Sequence, residues 1–182
     1  MSNAHDLRVV KSLKAIKQAW LTLILKKPYE KISVSDIADE ALVNRKTVYR
    51  HFLTIDDIGY EVMDDLANAL SERLSELAPE NLTGGVIVFY HLLNSPDPAY
   101  QKLFFDSGFH SFFKRLESEF LNDDFFDYYY KKLPVPELGS GYFSAMTYIF
   151  LRWREADGPK ADVDTLAGET ADLLLNGIAS NS

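Results

Sequence analysis

The chain has 182 residues, 47% of them hydrophobic and 25% charged, proportions of an ordinary globular protein rather than a disordered one, at a length that buries about 70% of the unfolded surface. It has no cysteine, which excludes disulfides and thiolate metal sites and fits a reducing cytoplasm. The net charge of −8 argues against a nucleic-acid partner only until it is divided by position. Residues 1–52 hold ten lysines and arginines against five acids; residues 53–182 hold nine against twenty-two. A basic head on an acidic body is the asymmetry of a protein that touches phosphate with one end, or else simply two solvated faces. No apolar run reaches the ~20 residues of a membrane helix, Leu7–Leu25 being interrupted by Lys11, Lys14 and Lys17. With no apolar signal segment and small-residue cleavage site, the expectation is a cytoplasmic protein with no membrane partner.

In chain order, the first helix is predicted over about Asp6–Lys27, where Val9, Leu13, Ile16, Trp20 and Leu23 form one apolar stripe before Pro28 stops it. Ser33-Val34-Ser35-Asp36 reads as a capping box. Val34, Ile37, Ala38 and Ala41 then give a short helix one buried face. Leu42-Val43-Asn44 is a tight turn, and Asn44 caps a third helix over Arg45–Phe52, anchored by Val48 and Phe52. Thr54-Ile55-Asp56-Asp57 is a second cap signal, opening a long helix to about Leu77. Further helices are predicted over about Leu82–Asn94, two within Ala99–Lys132, one from about Leu138 to Ala156 after Pro134 and Pro136, and one over about Val163–Ile178 after the Asp157-Gly158-Pro159 turn. There is no sustained period-2 strand pattern. The fold class is all-α with about nine helices: a head over 1–54 and a helical body over 55–182.

Two short helices joined by a three-residue turn have the geometry of a helix-turn-helix, whose second helix lies in the DNA major groove. At 100° per residue, Val48 and Phe52 point to the core, with Lys46 and Arg50 almost opposite. Thr47 and Tyr49 flank that face and Arg45 sits at the tip. Arg and Lys reach guanine O6 and N7, while hydroxyls suit phosphate oxygens. Residues 42–52 contain no Asp or Glu, which separates this helix from an ordinary solvated one. Arg8 and Lys11 on the first helix are either flanking phosphate contacts or a solvated face.

The segment Ser33-Val34-Ser35-Asp36-Ile37-Ala38, followed by Ala41-Leu42-Val43-Asn44-Arg45-Lys46-Thr47-Val48-Tyr49-Arg50-His51-Phe52, closely resembles the TetR-family signature T-V-x-D-I-A, then A-G-V-S-x-x-T-x-Y-x-H-F. The close match covers about twenty residues, and the flanking helices extend it over the first 75 or so. The resemblance implies a homodimeric transcription regulator, usually a repressor released from a palindromic double-stranded operator by a small ligand, with a few members answering to a protein partner instead. It implies that Thr47 and Tyr49 touch phosphates, that Arg45, Lys46 and Arg50 face bases, and that Ser35 lies near the backbone; Ser33, Asn44 and His51 complete the expected DNA-contacting set. Three positions depart from the pattern. Leu42 stands for the turn glycine, so a side chain must tolerate the turn conformation. Lys46 stands where a small residue is common, and Ile55 where many members carry a phosphate-contacting lysine, so that contact is not carried over.

In the body, Phe143, Met146, Thr147, Phe150 and Leu151 form one broad apolar face of the penultimate helix, and Leu166, Thr170, Leu173 and Leu174 another on the last. These either pair two copies, as the family's last two helices do, or face the chain's own core. The Trp153 region and the segment from Gly158 to Ile178 also resemble the family's C-terminal end. An aromatic belt lies between. Tyr90, His91, Phe104, Phe105, Phe109, His110 and Phe113 are the candidates to line a pocket for a small apolar or aromatic effector, the alternative being plain core.

An enzyme is not expected. There is no phosphate-binding loop, and Gly139-Ser140-Gly141 follows no strand. His5, His51, His91 and His110 show no zinc spacing. Asp162-Val163-Asp164 opens like a calcium loop but lacks its later ligand and glycine. No cofactor and no metal are expected. A protein-interaction module that merely contains this helix pair is the remaining alternative, separable by the salt dependence of duplex binding.

Overall fold

The computed structural model describes residues 2–131, 135–155 and 162–176, with side chains described except at 2–6, 130, 136 and 153–155. Its elements in chain order are α1 (Ser2–Lys26), α2 (Val34–Glu40), α3 (Arg45–His51), α4 (Ile55–Ser75), α5 (Leu82–Leu93), α6 (Pro98–Phe105), α7 (His110–Leu121), α8 (Asp124–Tyr130), α9 (Pro136–Glu155) and α10 (Val163–Asn176), with 3-10 turns at Tyr29–Lys31 and Ser107–Phe109. The described residues contain no strand, and none of their helices is long and apolar enough to cross a membrane. The chain divides into two compact units, residues 1–65 and 66–182, and the division falls within α4.

In the first unit α1 packs on α2 and α3. Ile16, Trp20 and Ile24 of α1, Ile37 of α2 and Val48 of α3 are all essentially inaccessible to solvent, so each apolar stripe meets a common core. In the second unit α5 and α10 form the most extensive helix pair. Phe89 stacks on Phe120 with ring centres 4.0 Å apart, and Phe126 and Phe143 close around them. Tyr90 stacks on Phe150 at 4.3 Å and its hydroxyl meets the Thr170 hydroxyl at 3.1 Å; burial raises its pKa above the ordinary phenol value. Gly85 lets α8 come close, because a Cβ there would stand 2.5 Å from the Phe125 ring.

The aromatic stretch holds three helices where two are predicted, because two aspartates restart the chain. Asp106 accepts from the Gly108 amide and Asp123 from the Phe125 amide, cap bonds in short polar breaks between apolar runs. Helices also begin earlier than expected at proline: α6 opens on Pro98 behind the Asp97 cap, and α9 on Pro136. A proline lacks only an amide that the first turn leaves unpaired anyway. The 157–159 turn, Pro134, and the end of the last helix beyond Asn176 lie outside the described residues. Asp162 is a cap rather than a calcium ligand, its carboxylate accepting from the Thr165 amide at 2.9 Å.

Candidate nucleic-acid interface

The reading helix is held by polar bonds at both of its borders. Ser33 Oγ accepts from the Asp36 amide at 3.2 Å and Asp36 Oδ2 accepts from the Ser33 amide at 2.8 Å, the reciprocal box that starts α2. Lys27 lies 2.7 Å from the same carboxylate and Lys26 2.9 Å from Glu40, so the end of α1 clamps both ends of α2. Lys27, then Ser33, hold the Asp36 carboxyl well below the usual carboxylate range. Asn44 Oδ1 accepts from the Lys46 amide at 2.9 Å and starts α3. Behind α3, Asp57 accepts from the amides of Leu53 and Thr54, while Thr54 accepts from that of Asp57. Those amide bonds hold the Asp57 carboxyl low.

The turn itself carries strain. Leu42 has φ 56°, the left-handed region, which costs a residue with a Cβ roughly 1–2 kcal/mol. Its side chain is 93% exposed, so no packing offsets that cost. The Val43 amide still reaches the Ala38 carbonyl at 2.9 Å, closing α2 against the turn.

On α3, Val48 and the following Phe52 are buried. Arg45, Lys46, Tyr49 and Arg50 are exposed, while Thr47 and His51 are half-buried at the flanks. The division of faces read from the wheel is therefore present. Among the described residues, no carboxylate pairs with Arg45, Lys46 or Arg50. Ser35 is half-buried in the first turn of α2. Ser33 stands apart from the rest of the expected set. Its hydroxyl proton goes to Asp36 Oδ2 at 2.6 Å, and a phosphate oxygen, which only accepts, has nothing to take from it. Asn44, its carbonyl oxygen spent on the cap, keeps amide protons for an acceptor. Ile55 is half-buried and offers no charge to phosphate. Arg8 and Lys11 line a shallow cleft of about 440 Å³ with Ala15 and Val43.

Two ties to α4 were not legible in the sequence. The Tyr29 hydroxyl donates to Asp56 at the head of α4; burial, then this carboxylate, push its pKa up. Lys17 of α1 pairs with Asp65 of α4.

In the second unit a cleft of about 320 Å³ is bordered by α6, α7 and α9. It gathers Phe104, Phe105, His110 and Phe113 of the expected pocket and adds Ser144, Tyr148, Leu151 and Arg152 of α9, with Asp106 and Glu117 at the rim. It does not include Tyr90, which is core, or His91, which lies 2.6 Å from Asp164 on the surface between α5 and α10. Phe109 is also core, with the Lys102 ammonium 5.8 Å from its ring centre.

The expected dimer face needs correction. Phe143, Thr147, Phe150 and Thr170 are buried inside this single chain, where they complete the aromatic core, and a residue already covered cannot meet a second copy. Met146, Leu166, Leu173 and Leu174 are half-buried. Among the described side chains, the large apolar residues of α9 left in solvent are Leu138, Tyr142, Tyr148 and Ile149. The side chain of Trp153 and the residues beyond 176 lie outside the described set.

The model of the family described as bacterial regulatory proteins, tetR family, matches residues 18–62, the stretch from mid-α1 through the reading helix into α4. The N-terminal domain belongs to the tetR family. The whole chain shares its fold with solved tetR-type structures. A TetR transcriptional regulator from Streptococcus agalactiae is 20% identical, with 96% of this chain and 99% of that one covered and a TM-score of 0.67. FadR from Bacillus subtilis, in complex with stearoyl-CoA, is 21% identical over 91% and 98%, with a TM-score of 0.63. AibR, in complex with isovaleryl coenzyme A and operator DNA, is 16% identical over 89% and 97%, with a TM-score of 0.56. A search of curated proteins returned no match. The tetR-family match ends inside α4 and so leaves the body's chemistry to its own residues.

Proposed function

We propose that the chain is a homodimeric, sequence-specific transcription regulator. It represses from a palindromic operator and is released by a small effector bound in the body. The observation that carries this reading is α3: an exposed row of Arg45, Lys46, Tyr49 and Arg50 with no acid among it, on a helix fixed by caps at both borders. Lys46 and Arg50 read base edges; Thr47, Tyr49 and Ser35 hold phosphates. Two copies pair through the exposed residues of α9 together with α10, because one short helix reads too few bases alone. The α6–α7–α9 cleft is the effector site, and α4, which runs from one unit into the other, passes its occupancy on. The ligand must prefer the state that does not bind DNA, otherwise it shifts nothing. FadR and AibR carry acyl-CoA ligands and AibR also operator DNA, which supports an effector-controlled operator binder. The proposed role is binding, not catalysis, in the cytoplasm.

Selection of duplexes from a random library tests it. A two-fold symmetric consensus, bound with affinity that falls steeply as salt rises, is the expected result. Failure to enrich any sequence would overturn the reading.

A further inference from the structure

Two side-chain ties join the first half of α4 to residues that precede α2. The Tyr29 hydroxyl donates to Asp56, and Lys17 pairs with Asp65. At 100° per residue, the buried residues Ile58, Gly59, Val62 and Met63 make one face of α4. Asp56 and Asp65, nine residues apart, fall about 180° from each other, one at each edge of that face. They also stand about 14 Å apart along the axis. A helix held by an apolar face alone is free to roll and slide, because burial has no direction. Here a roll one way lengthens the first tie, and a roll the other way lengthens the second. The Tyr29 ring is seated in turn on Trp20, edge to face with ring centres 6.1 Å apart, and Trp20 is wholly buried. Both ties lie within the first compact unit, and α4 runs on beyond Asp65 as part of the second.

We infer that Tyr29 and Lys17 are positioning residues for operator spacing: they fix the roll of α4 on the head, so that two paired reading helices meet half-sites at one separation. Neither residue lies on α3, so neither alters which bases are read. Half-site spacing belongs to the geometry between two reading helices rather than to either one, and α4 is the element by which each head is joined to its body. One base pair more or less turns a half-site by about 35° around the duplex, a change that a fixed head cannot follow and a rolling one can. A partly exposed ion pair adds little to stability, so the ties are read in spacing rather than in melting. The inference rests on the paired operator binder proposed above.

The test uses the full chain and the duplex selected by the wild type, together with two versions that gain or lose one central base pair. The wild type should prefer the selected spacing by roughly tenfold or more. Tyr29→Phe keeps the ring against Trp20 and removes the tie; Lys17→Met keeps an unbranched stem and removes the charge. Each should melt within a few degrees of wild type, return the same half-site on repeat selection, and lower the spacing preference about threefold. The double variant should lower it further, and Lys17→Arg, which keeps the pair, should preserve it. Asp56→Asn tests the first tie from its other end should Tyr29→Phe fail to fold. A spacing preference unchanged in the double variant overturns the inference. So does affinity lost equally at all three spacings, since the ties then only stabilise the head. A wild type that selects a two-fold consensus but accepts all three spacings alike overturns it as well. Enrichment of no sequence defeats the proposed function itself, a failure seen before any variant is made, and the inference falls with it.

Discussion

The head and the body use opposite means to hold short helices together. In the head, α2 and α3 have seven residues each and are fixed by directional bonds: the Ser33–Asp36 box, the Asn44 cap, and Lys26 and Lys27 reaching back from α1. In the body, rings stacked around Phe89 and Phe120 do the work, with the Tyr90–Thr170 contact as a buried polar tie. Directional bonds fix orientation, which a reading helix needs; stacked rings contribute area and adapt to shape. The difference predicts that substitutions in the body are read mainly in stability, and substitutions on α3 mainly in binding.

The largest expected effect is in the body. Phe89→Ala should lower unfolding free energy by about 3–5 kcal/mol, from lost burial and the cavity left among rings, measured by chemical denaturation. A change below 1 kcal/mol would break the contrast. Next, Arg50→Ala or Lys46→Ala should cost about 1–3 kcal/mol at particular operator positions if either contact is bidentate, with thermal stability almost unchanged. Tyr49→Phe should weaken all sequences evenly. Three variants that bind a selected operator like wild type would remove α3 as the reader. Ser33→Ala should cost about 1 kcal/mol of stability through the lost cap while leaving base preference untouched, measured by melting and by repeat selection.

The same box gives the head an acid limit. Asp36 has a folded pKa below its unfolded value of about 3.9. Its contribution is therefore complete above the unfolded pKa and is lost as pH falls through the folded one. Acid titration followed by Tyr29 and Trp20 fluorescence should show the loss beginning below about pH 4, and Asp36→Asn should flatten it. The smallest effect is at the turn. Leu42→Gly relieves the positive φ but adds unfolded-chain entropy, so a net gain of about 1 kcal/mol or less is expected in melting experiments.

The head was legible because its determinants are local. A hydroxyl three residues before a carboxylate, and an asparagine before a cationic helix, specify caps without reference to the rest of the chain, and even the strain at Leu42 follows from a side chain where the turn favours glycine. The ties from Lys27 to Asp36 and from Tyr29 to Asp56 join distant positions and leave no pattern. The body was legible as helices but not as faces. On α9, Phe143, Thr147 and Phe150 make as good a stripe as Leu138, Tyr142 and Ile149, and periodicity cannot say which one the same chain covers. The core took the bulkier aromatic stripe because Phe89, Phe120 and Tyr90 stack against it. Of the residues expected to line a pocket, Phe104, Phe105, His110 and Phe113 border the cleft beside α9 while Tyr90 and Phe109 are core, an outcome of packing rather than of composition.

The clamps on α2 also change how the head meets ions. Ten lysines and arginines lie in residues 1–52, but Lys17, Lys26 and Lys27 already answer carboxylates of the same chain. A cation neutralised from within displaces no counterion from a duplex. The slope of log affinity against log salt, about 0.9 per phosphate neutralised, should therefore count no more than seven side chains per copy. Part of the positive charge that makes the head look like a polyelectrolyte glue is internal mortar, and the protein can leave DNA more easily than its lysine content suggests.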